Sequence, residues 1–496
     1  MISYDNLWPA PNELCLRETF SPPNSISLNG DVNDLIERTL KESRLNEKIH
    51  SKGDFKIFFE LKDTKDSENS DESYCVQVTN REIRVIAAGR AGLYYGSLTL
   101  RQLFDVWHTA GAWRKMELND APAFKKRAFM VDMGRSVFSM SFLKRIIRLL
   151  AALKMNQLHL HLFDDELCGI RFRGHDFGKD NPYAITIEQL GELVEYAGRY
   201  HVEIVPELEG WAHVGSITHH RPELRGGDGV YNGSSFLISE SVLELMRDLI
   251  RQTAEVLPDK ATIHMGLDEA KWFLDPTMPR DFSPETFFIR YAAMIKEIGA
   301  ELGKELTMRM WHDHRGRVIP DEIKNDVIVE PWNYWNHGAS AVDEQVAYFS
   351  KAGMRWMIGA GQSMGQYRGV YHATRHWCRQ AVDKPGVEGV NITFWGRNDL
   401  DNHLITLFAG AYYLWNPKST AHFADLEDYE AFDLKVFPIM RKWQSTFKDA
   451  FPDDLAADRG PNVYNGYYWG GESHGKPVSP CVAETDTLFG HDFLNE

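Results

Sequence analysis

The chain has 496 residues, of which 43% are hydrophobic and 25% charged, the balance of a globular protein. Its formal net charge of −16 argues against nucleic acid and against an anionic membrane surface as partners, because both are bound through basic patches. No apolar run approaches the roughly 18–20 residues that a membrane span needs. A chain of this length is long enough for a large barrel with an accessory domain.

The start of the sequence and its cysteines predict an intracellular location. The first residues, MISYDNLWPAPNELCL, lack a basic segment followed by an apolar one, so we expect no signal peptide. The five cysteines are odd in number and show no CxxC spacing: Cys15, Cys75, Cys168, Cys378 and Cys481. Scattered thiols of this kind are typical of a reducing compartment. We therefore expect a cytoplasmic protein with free cysteines.

Residues 1–120 are predicted to form a small α+β accessory domain. The segment 74–88 alternates apolar and polar residues on both sides of a central turn, which indicates two strands. It is followed by 91–107, whose apolar residues recur at helical spacing. The polar segment 62–73 has nothing to bury and is expected to be a loop. A proline-containing stretch, 118–127, marks the domain boundary.

Eight short apolar runs, separated by amphipathic helices, follow this boundary. They are 127–135, 157–165, 202–210, 261–269, 306–313, 326–333, 354–362 and 390–397. Strands that alternate with helices in this way are the pattern of a (β/α)8 TIM barrel. We therefore predict an α/β fold with a catalytic barrel over 121–450, and an irregular C-terminal tail, 451–496, packed on the barrel.

Polar and aromatic residues cluster at the carboxyl ends of these runs, where barrel enzymes hold their active sites. They are Arg135, Asp164, Asp165, Glu207, Glu209, His213, Asp268, Glu269, Trp311, Asp313, Trp332, Trp395 and Arg397. The sequence shows no glycine-rich phosphate loop, no exposed serine elbow and no cysteine suited to be a nucleophile. It therefore predicts chemistry done by carboxylates, without cofactor or metal.

Two adjacent carboxylates, Asp268 and Glu269, end the run in ATIHMGLDEAKWF, residues 261–273. Like charges at the end of an apolar strand repel each other, so they need a function. Carboxylates with indole walls are typical of glycoside cleavage, in which an acid protonates the leaving oxygen. Adjacent carboxylates cannot easily flank one bond from opposite sides. They suit a reaction in which one protonates the leaving group and the other orients a 2-acetamido group, whose carbonyl oxygen attacks the anomeric carbon.

Roughly residues 8–400 resemble glycoside hydrolase family 20, the β-N-acetylhexosaminidases. The family's fourth-strand motif, His-x-Gly-Gly-Asp-Glu, corresponds to residues 264–269. This resemblance implies that Asp268 polarises the acetamido group and that Glu269 is the general acid/base. It further implies an exo-acting hydrolase that removes terminal non-reducing β-linked GlcNAc or GalNAc with retention, through an oxazolinium intermediate.

Three further motifs carry the same resemblance. The stretch VDMGR places the family's arginine for the sugar 3- and 4-hydroxyls on Arg135, and HLHLFDD places a supporting aspartate on Asp164. The stretch PELEGWAH places on His213 a histidine that would bridge Asp164 and Glu269 and tune the pKa of the acid.

The sugar-binding residues are less well matched. We expect Trp311, Trp332 and Trp395, which lie near the ends of three of the runs, to line the sugar pocket. Tyr367 is the candidate for the family's acetamido-binding tyrosine, although the surrounding segment does not match cleanly. Arg397 stands where the family's Trp-x-Glu has its acid, so we expect altered recognition of the outer sugar hydroxyls.

Two other departures concern the walls of the site. Leu267 replaces the second glycine of the family motif and is expected to narrow or reshape the floor. Glu166 follows the paired aspartates where the family has glutamine, which puts the contacts of that loop in doubt.

Two other functions stay open at this point. In the first, zinc would be bound in an amidohydrolase-like barrel by His159, His161, His213, His264 and Asp268, although the HxH pair lies on the second strand rather than the first. In the second, the barrel would bind glycans without catalysis, and the intact acid pair counts against this. The expected partner is an oligosaccharide, a glycoconjugate or another small-molecule substrate, and the sequence leaves a homodimer open.

Overall fold

The computed structural model describes residue 4 and residues 7–62, 72–229, 233–313, 318–334, 339–362, 370–395, 400–418 and 429–447. Along the chain, a small sheet with helices comes first and a closed barrel follows.

The N-terminal unit is an α+β structure. Its strands are β1 (Glu13–Phe20), β2 (Ile26–Gly30), β3 (Phe55–Leu61), β4 (Tyr74–Val78), β5 (Glu82–Ala87) and β6 (Trp113–Asp120), and its helices are α1 (Asp34–Lys41) and α2 (Arg90–Ala110), with a 3-10 turn at Asn46–Lys48. The strands form one sheet in the order β1-β6-β4-β5-β3-β2. The predicted strand pair and the helix that follows it are confirmed. Of the polar segment predicted as a loop, 63–71 lie outside the described residues.

Helix α2 packs closely on this sheet because it carries a glycine at the contact. A Cβ added to Gly96 would lie 2.4 Å from Cγ1 of Val85 on β5. The helix ends at Gly111, whose φ of 65° is the left-handed conformation that glycine adopts readily.

The second unit is a closed barrel of parallel strands. The strands of this unit are β7 (Lys126–Asp132), β8 (Gln157–His161), β9 (Ile170–Arg171), β10 (Ile185–Thr186), β11 (Glu203–Glu207), β12 (Arg225–Asp228), β13 (Ser234–Phe236), β14 (Lys260–His264), β15 (Glu305–His312), β16 (Val327–Pro331), β17 (Arg355–Gln362) and β18 (Val387–Phe394). The barrel order is β7-β8-β11-β14-β15-β16-β17-β18, and β18 pairs with β7 to close it. The other four are short strands outside the barrel.

All eight predicted runs are barrel strands, so the predicted TIM barrel is confirmed. They could be recognised because strands of a parallel sheet are buried on both faces and therefore read as near-continuous apolar runs. Most of the predicted runs continue past the observed strand. The extra residues are the polar strand ends that carry the candidate site.

Helices lie between the barrel strands. They are α3 (Met140–Ala152), α4 (Ile187–Arg199), α5 (Gly215–Thr218), α6 (Glu240–Glu255), α7 (Pro284–Leu302), α8 (Ala339–Ala352), α9 (Val370–Ala381), α10 (Leu400–Trp415) and α11 (Tyr429–Thr446), with a 3-10 turn at Pro222–Leu224. Helix α4 begins with a capping box in which Thr186 and Gln189 each bond the other's backbone N–H. Caps of this kind set the start of a helix and so the length of the loop before it.

Apolar packing and buried ion pairs join the two units. Arg127 on β7 bonds Glu72 at 2.7 Å, and Lys154 lies 3.1 Å from Asp120 on β6. The indole of Trp8 stacks on Phe408 of α10 with ring centroids 4.2 Å apart. Within the described residues one continuous apolar cluster runs through both units.

No helix among the described residues is long and apolar enough to cross a bilayer. Cys15, Cys75, Cys168 and Cys378 are free thiols, of which Cys15 is exposed. Cys481 lies outside the described residues.

Candidate active site

The acid pair follows β14 on a backbone that turns sharply. Gly266, Leu267 and Glu269 have φ values of 64°, 75° and 47°, all in the left-handed region. For a residue with a side chain this conformation costs about 1–2 kcal/mol. The Glu269 backbone is held in place by Asp313, whose Oδ2 accepts its N–H at 2.8 Å. Strain of this kind is typical of functional sites, where the surrounding structure compensates for it.

Asp268 is buried without a hydrogen bond on one of its oxygens. The residue is 7% exposed, and its Oδ1 has no partner among the described residues. Burial, with the like charges of Asp313 and Glu269, raises the pKa of Asp268 to about 7, although the charge on His213 opposes this. A buried acceptor without a donor is costly, so this atom is suited to receive an N–H from a ligand.

His213 links Glu269 to the paired aspartates after β8. Its Nε2 lies 3.4 Å from Oε2 of Glu269, and its Nδ1 lies 3.3 Å from Asp165 and 3.6 Å from Asp164. Burial alone would lower the pKa of His213, but Asp164, Asp165 and Glu269 together hold it well above its usual range. The imidazole is therefore a cation that faces Glu269.

Asp164 and Asp165 have different hydrogen-bond and ion-pair partners. Asp165, the nearer to His213, accepts the backbone N–H groups of Gly215 at 2.9 Å and Ser234 at 2.8 Å. Asp164 lies 2.6 Å from Nη2 of Arg135. Burial would raise the pKa of Asp164, but Arg135 and His213 hold it well below its usual range. The predicted bridge thus involves both aspartates, and sequence reasoning had named only Asp164.

Arg135 contacts three acidic side chains. Besides Asp164, its Nη1 lies 3.0 Å from Asp132 and its Nε lies 3.3 Å from Glu166. A guanidinium has more N–H groups than these contacts use, so Nη1 and Nη2 each keep a further donor. Oε2 of Glu166 makes no hydrogen bond among the described residues, and burial, with the charges of Asp164 and Asp165, raises the pKa of Glu166 well above its usual range although Arg135 opposes this.

These positions can now be compared with known proteins. The family model described as "Glycosyl hydrolase family 20, catalytic domain" matches residues 124–395, and the model of domain 2 of the same family matches residues 6–121. The chain belongs to glycosyl hydrolase family 20.

Curated relatives are similar over part of their length. A β-hexosaminidase from Porphyromonas gingivalis is 24% identical over 53% of this chain and 40% of its own length. A β-N-acetylhexosaminidase from Cellulomonas fimi is 28% identical over 50% of this chain and 54% of its own. The chain thus spans about half the length of the curated relatives it matches.

Solved structures are similar over most of the chain. A chitobiase from Flavobacterium johnsoniae has a TM-score of 0.69 at 19% identity and covers 90% of this chain and 74% of its own. The Streptomyces plicatus N-acetyl-β-hexosaminidase has a TM-score of 0.64 at 20% identity, with coverage of 90% and 95%. At these identities the likeness shows the fold.

The family 20 motif explains the conformation at Leu267. The family has glycine there, and the φ of 75° is one that glycine adopts without strain. The sequence predicted that Leu267 narrows or reshapes the floor of the site. In the structure its side chain is instead fully buried, and its Cδ2 packs beside Gly210. The substitution therefore strains the backbone and fills the core beneath the site.

Trp311 does not line the pocket as predicted. Its side chain is 1% exposed, and its Nε1 donates to Glu207 at 2.5 Å. The sequence position at a strand end was identified correctly, but the side chain points into the barrel, where it contacts the imidazole rings of His159 and His264. Trp311 supports the site from below.

Trp332 and Trp395 are half-buried at the ends of β16 and β18. Trp332 stacks on Tyr334 with centroids 5.3 Å apart, and Trp395 donates its Nε1 to the Tyr334 hydroxyl at 2.9 Å. The guanidinium of Arg135 lies 5.6 Å from the Trp395 ring centroid. Tyr334 is thus a site residue that sequence reasoning missed, although the segment EPWNY that ends β16 could have indicated it.

Two other predicted residues cannot be placed. Tyr367 and Arg397 both lie outside the described residues.

The residues of the zinc alternative do not form one centre. His159 and His264 share Glu207, His161 lies with Glu207 and Glu209, and His213 lies with the acid pair. The Glu207 carboxylate contacts Nε2 of His159 at 3.0 Å and Nδ1 of His264 at 3.1 Å. The predicted ligands are therefore divided over three groups, two of which share the Glu207 carboxylate.

Proposed function

We propose that this chain is an exo-acting β-N-acetylhexosaminidase that hydrolyses terminal non-reducing β-linked GlcNAc or GalNAc with the help of the substrate's own acetamido group. The observation that carries this proposal is the buried Oδ1 of Asp268, which has no donor within the described residues and adjoins Glu269. Membership of family 20 supports the same activity.

Asp268 would hold the substrate's amide. When ionised it accepts the amide N–H, which turns the carbonyl oxygen toward the anomeric carbon and stabilises the positive charge that develops as the ring closes. Tyr367 is the candidate for a tyrosine hydroxyl that bonds the amide oxygen. Both contacts select for a substrate with a 2-acetamido group.

Glu269 would transfer the proton. In the first step it protonates the leaving oxygen as the acetamido oxygen bonds to the anomeric carbon, which yields a cyclic oxazolinium ion. In the second step it removes a proton from water, which opens that ring from the face that the leaving group occupied. The anomeric configuration is therefore retained. The His213 imidazole, 3.4 Å away, would hold the Glu269 carboxyl group in position through both steps.

Arg135 would position the sugar. Its remaining N–H groups can bond the 3- and 4-hydroxyls, and the half-buried faces of Trp332 and Trp395 can pack against the C–H groups of the pyranose. The contacts of Arg397 with the outer hydroxyls remain part of this proposal.

Inhibition by the thiazoline analogue of GlcNAc tests the proposal, because this compound mimics the cyclic intermediate. We expect it to bind at least about 10²-fold more tightly than GlcNAc itself, as a transition-state-like ligand does. A second measurement uses NMR to determine which anomer of the sugar is released first from p-nitrophenyl β-GlcNAc and from p-nitrophenyl β-GalNAc. An inverted product, or a thiazoline no better than GlcNAc, would exclude the mechanism.

A further inference from the structure

A second cavity, of about 290 Å³, lies where the N-terminal unit meets the outer helices of the barrel. Helices α1, α2, α3, α4 and the end of α11 surround it. Its wall includes three arginines and three tyrosines: Arg38, Arg101, Arg148, Tyr94, Tyr196 and Tyr200. We call it the arginine–tyrosine pocket. It is formed by the helix layer, whereas the acid pair lies at the strand ends, so the inference below does not depend on the proposed function.

Two of its cations have no close carboxylate in the part of the chain that the structure describes. Among the described residues, no carboxylate oxygen lies within 4.0 Å of the guanidinium of Arg38 or of Arg148, whereas Arg101 pairs with Glu42 at 3.2 Å. Glu42 is the one acid in the pocket wall. In a protein with a net charge of −16, this is a local excess of positive charge around a concave surface. Such a surface attracts small anions.

One of the two arginines bonds a tyrosine hydroxyl in the pocket. Arg148 donates to the Tyr196 hydroxyl at 2.6 Å, and the Tyr196 and Tyr200 rings lie 5.2 Å apart. Burial, with the neighbouring Tyr196, raises the pKa of Tyr200 to about 12, although the charges of Arg38 and Arg148 lower it. Tyr200 lines the same pocket as the two arginines and adds a hydroxyl to its polar wall.

We propose that the arginine–tyrosine pocket binds a small phosphate monoester of the size of a sugar phosphate. Guanidinium groups bond phosphate oxygens in pairs, more tightly than they bond neutral acceptors. The tyrosine rings provide an amphipathic wall for a sugar ring, and the volume is at the lower end for a small-molecule site. Free phosphate shares the anionic part of this chemistry, so the experiment compares the two.

Calorimetric titration of the full chain with glucose 6-phosphate, inorganic phosphate and uncharged glucose tests this. We expect saturable binding of the ester that weakens with added salt, weaker binding of inorganic phosphate, and none of glucose. Arg38→Gln and Arg148→Gln should each raise the Kd for the ester on the order of tenfold, since each removes a charge-assisted hydrogen bond. Both side chains are at least partly exposed, so these variants are expected to fold.

Arg81→Gln is the matched control, because Arg81 is an exposed arginine in the turn between β4 and β5 and outside the pocket. Its affinity should equal that of the unmodified chain. The proposal is overturned if the ester does not bind saturably, if glucose binds equally well, or if the two pocket variants keep their affinity. Equal affinity for inorganic phosphate and for the ester would contradict the sugar-phosphate part and leave free phosphate as the ligand.

Discussion

The barrel interior around Glu207 and the strand end around Asp268 both contain buried carboxylates, but only the first is fully bonded. Glu207 accepts from Trp311 at 2.5 Å and from His161 at 2.8 Å, and it contacts His159 and His264. Burial would raise the pKa of Glu207, yet these histidines hold it well below its usual range. Asp268 has an oxygen without a partner among the described residues and a pKa raised to about 7.

This difference distinguishes a structural residue, Glu207, from a candidate site residue, Asp268. Removing one partner from a fully bonded buried charge is strongly destabilising, whereas a buried charge that lacks partners destabilises the folded chain unless a ligand completes the set. Glu207 is therefore expected to hold the barrel end together, and we propose that Asp268 gains its missing partner from the substrate. The following variants test this contrast.

Replacing Glu269 by glutamine should have the largest effect. The amide keeps the shape but cannot donate or accept the proton, so kcat on p-nitrophenyl β-GlcNAc should fall by about 10²–10⁴-fold. The melting temperature should change little, since the side chain is 21% exposed. Glu244→Gln, an exposed glutamate on α6, is the control and should keep full activity. Normal turnover by Glu269→Gln would contradict its role.

Replacing Glu207 by glutamine should reduce the free energy of unfolding by about 3–5 kcal/mol, because the buried His161 cation loses a counter-charge. Urea unfolding at pH 7 measures it. Little loss of stability would mean that the bonded network is not the scaffold that its geometry indicates.

Replacing Asp268 by asparagine should stabilise the chain, in a pH-dependent way. Since the folded-state pKa of about 7 is above the ordinary value of 3.8, the ionised group opposes folding, fully above pH 7 and not at all below pH 3.8. The gain in unfolding free energy at pH 8 should be on the order of 2–4 kcal/mol and should vanish toward pH 4. A loss of stability at pH 8 would show that Asp268 has partners of its own.

Replacing Glu209 by glutamine should have the smallest effect on stability. Its oxygens are buried without a hydrogen-bond partner among the described residues, and the nearest cation, His161, is 3.7 Å away. Burial and the charges of Asp268 and Glu207 raise the pKa of Glu209 well above its usual range, so the side chain is a neutral acid. Glu209→Gln replaces one neutral group by another and should change stability by less than about 1 kcal/mol. A loss as large as that of Glu207→Gln would mean that Glu209 is ionised.

The barrel could be predicted from the sequence because each strand is buried on both faces, and the acid pair because a conspicuous motif follows one of them. The direction in which a side chain points could not be predicted from the sequence. Trp311 and Trp395 both follow apolar runs, yet Trp311 points into the barrel and Trp395 toward Tyr334. Which of Asp164 and Asp165 lies nearer to His213 depends on distances that the sequence does not give, because the two residues are adjacent. The domain limits, the cytoplasmic location and the homodimer stay predictions.

One measurement tests most directly whether Asp268 acts on the acetamido group. It is the ratio of kcat/KM for p-nitrophenyl β-GlcNAc to kcat/KM for p-nitrophenyl β-glucoside, compared between the unmodified chain and Asp268→Asn. We predict a large preference for the acetamido sugar, reduced about 10²–10³-fold in the variant, with little change on the glucoside. Efficient hydrolysis of the glucoside by the unmodified chain, or an unchanged ratio in Asp268→Asn, would show that the unsatisfied carboxylate is not held for the substrate's amide.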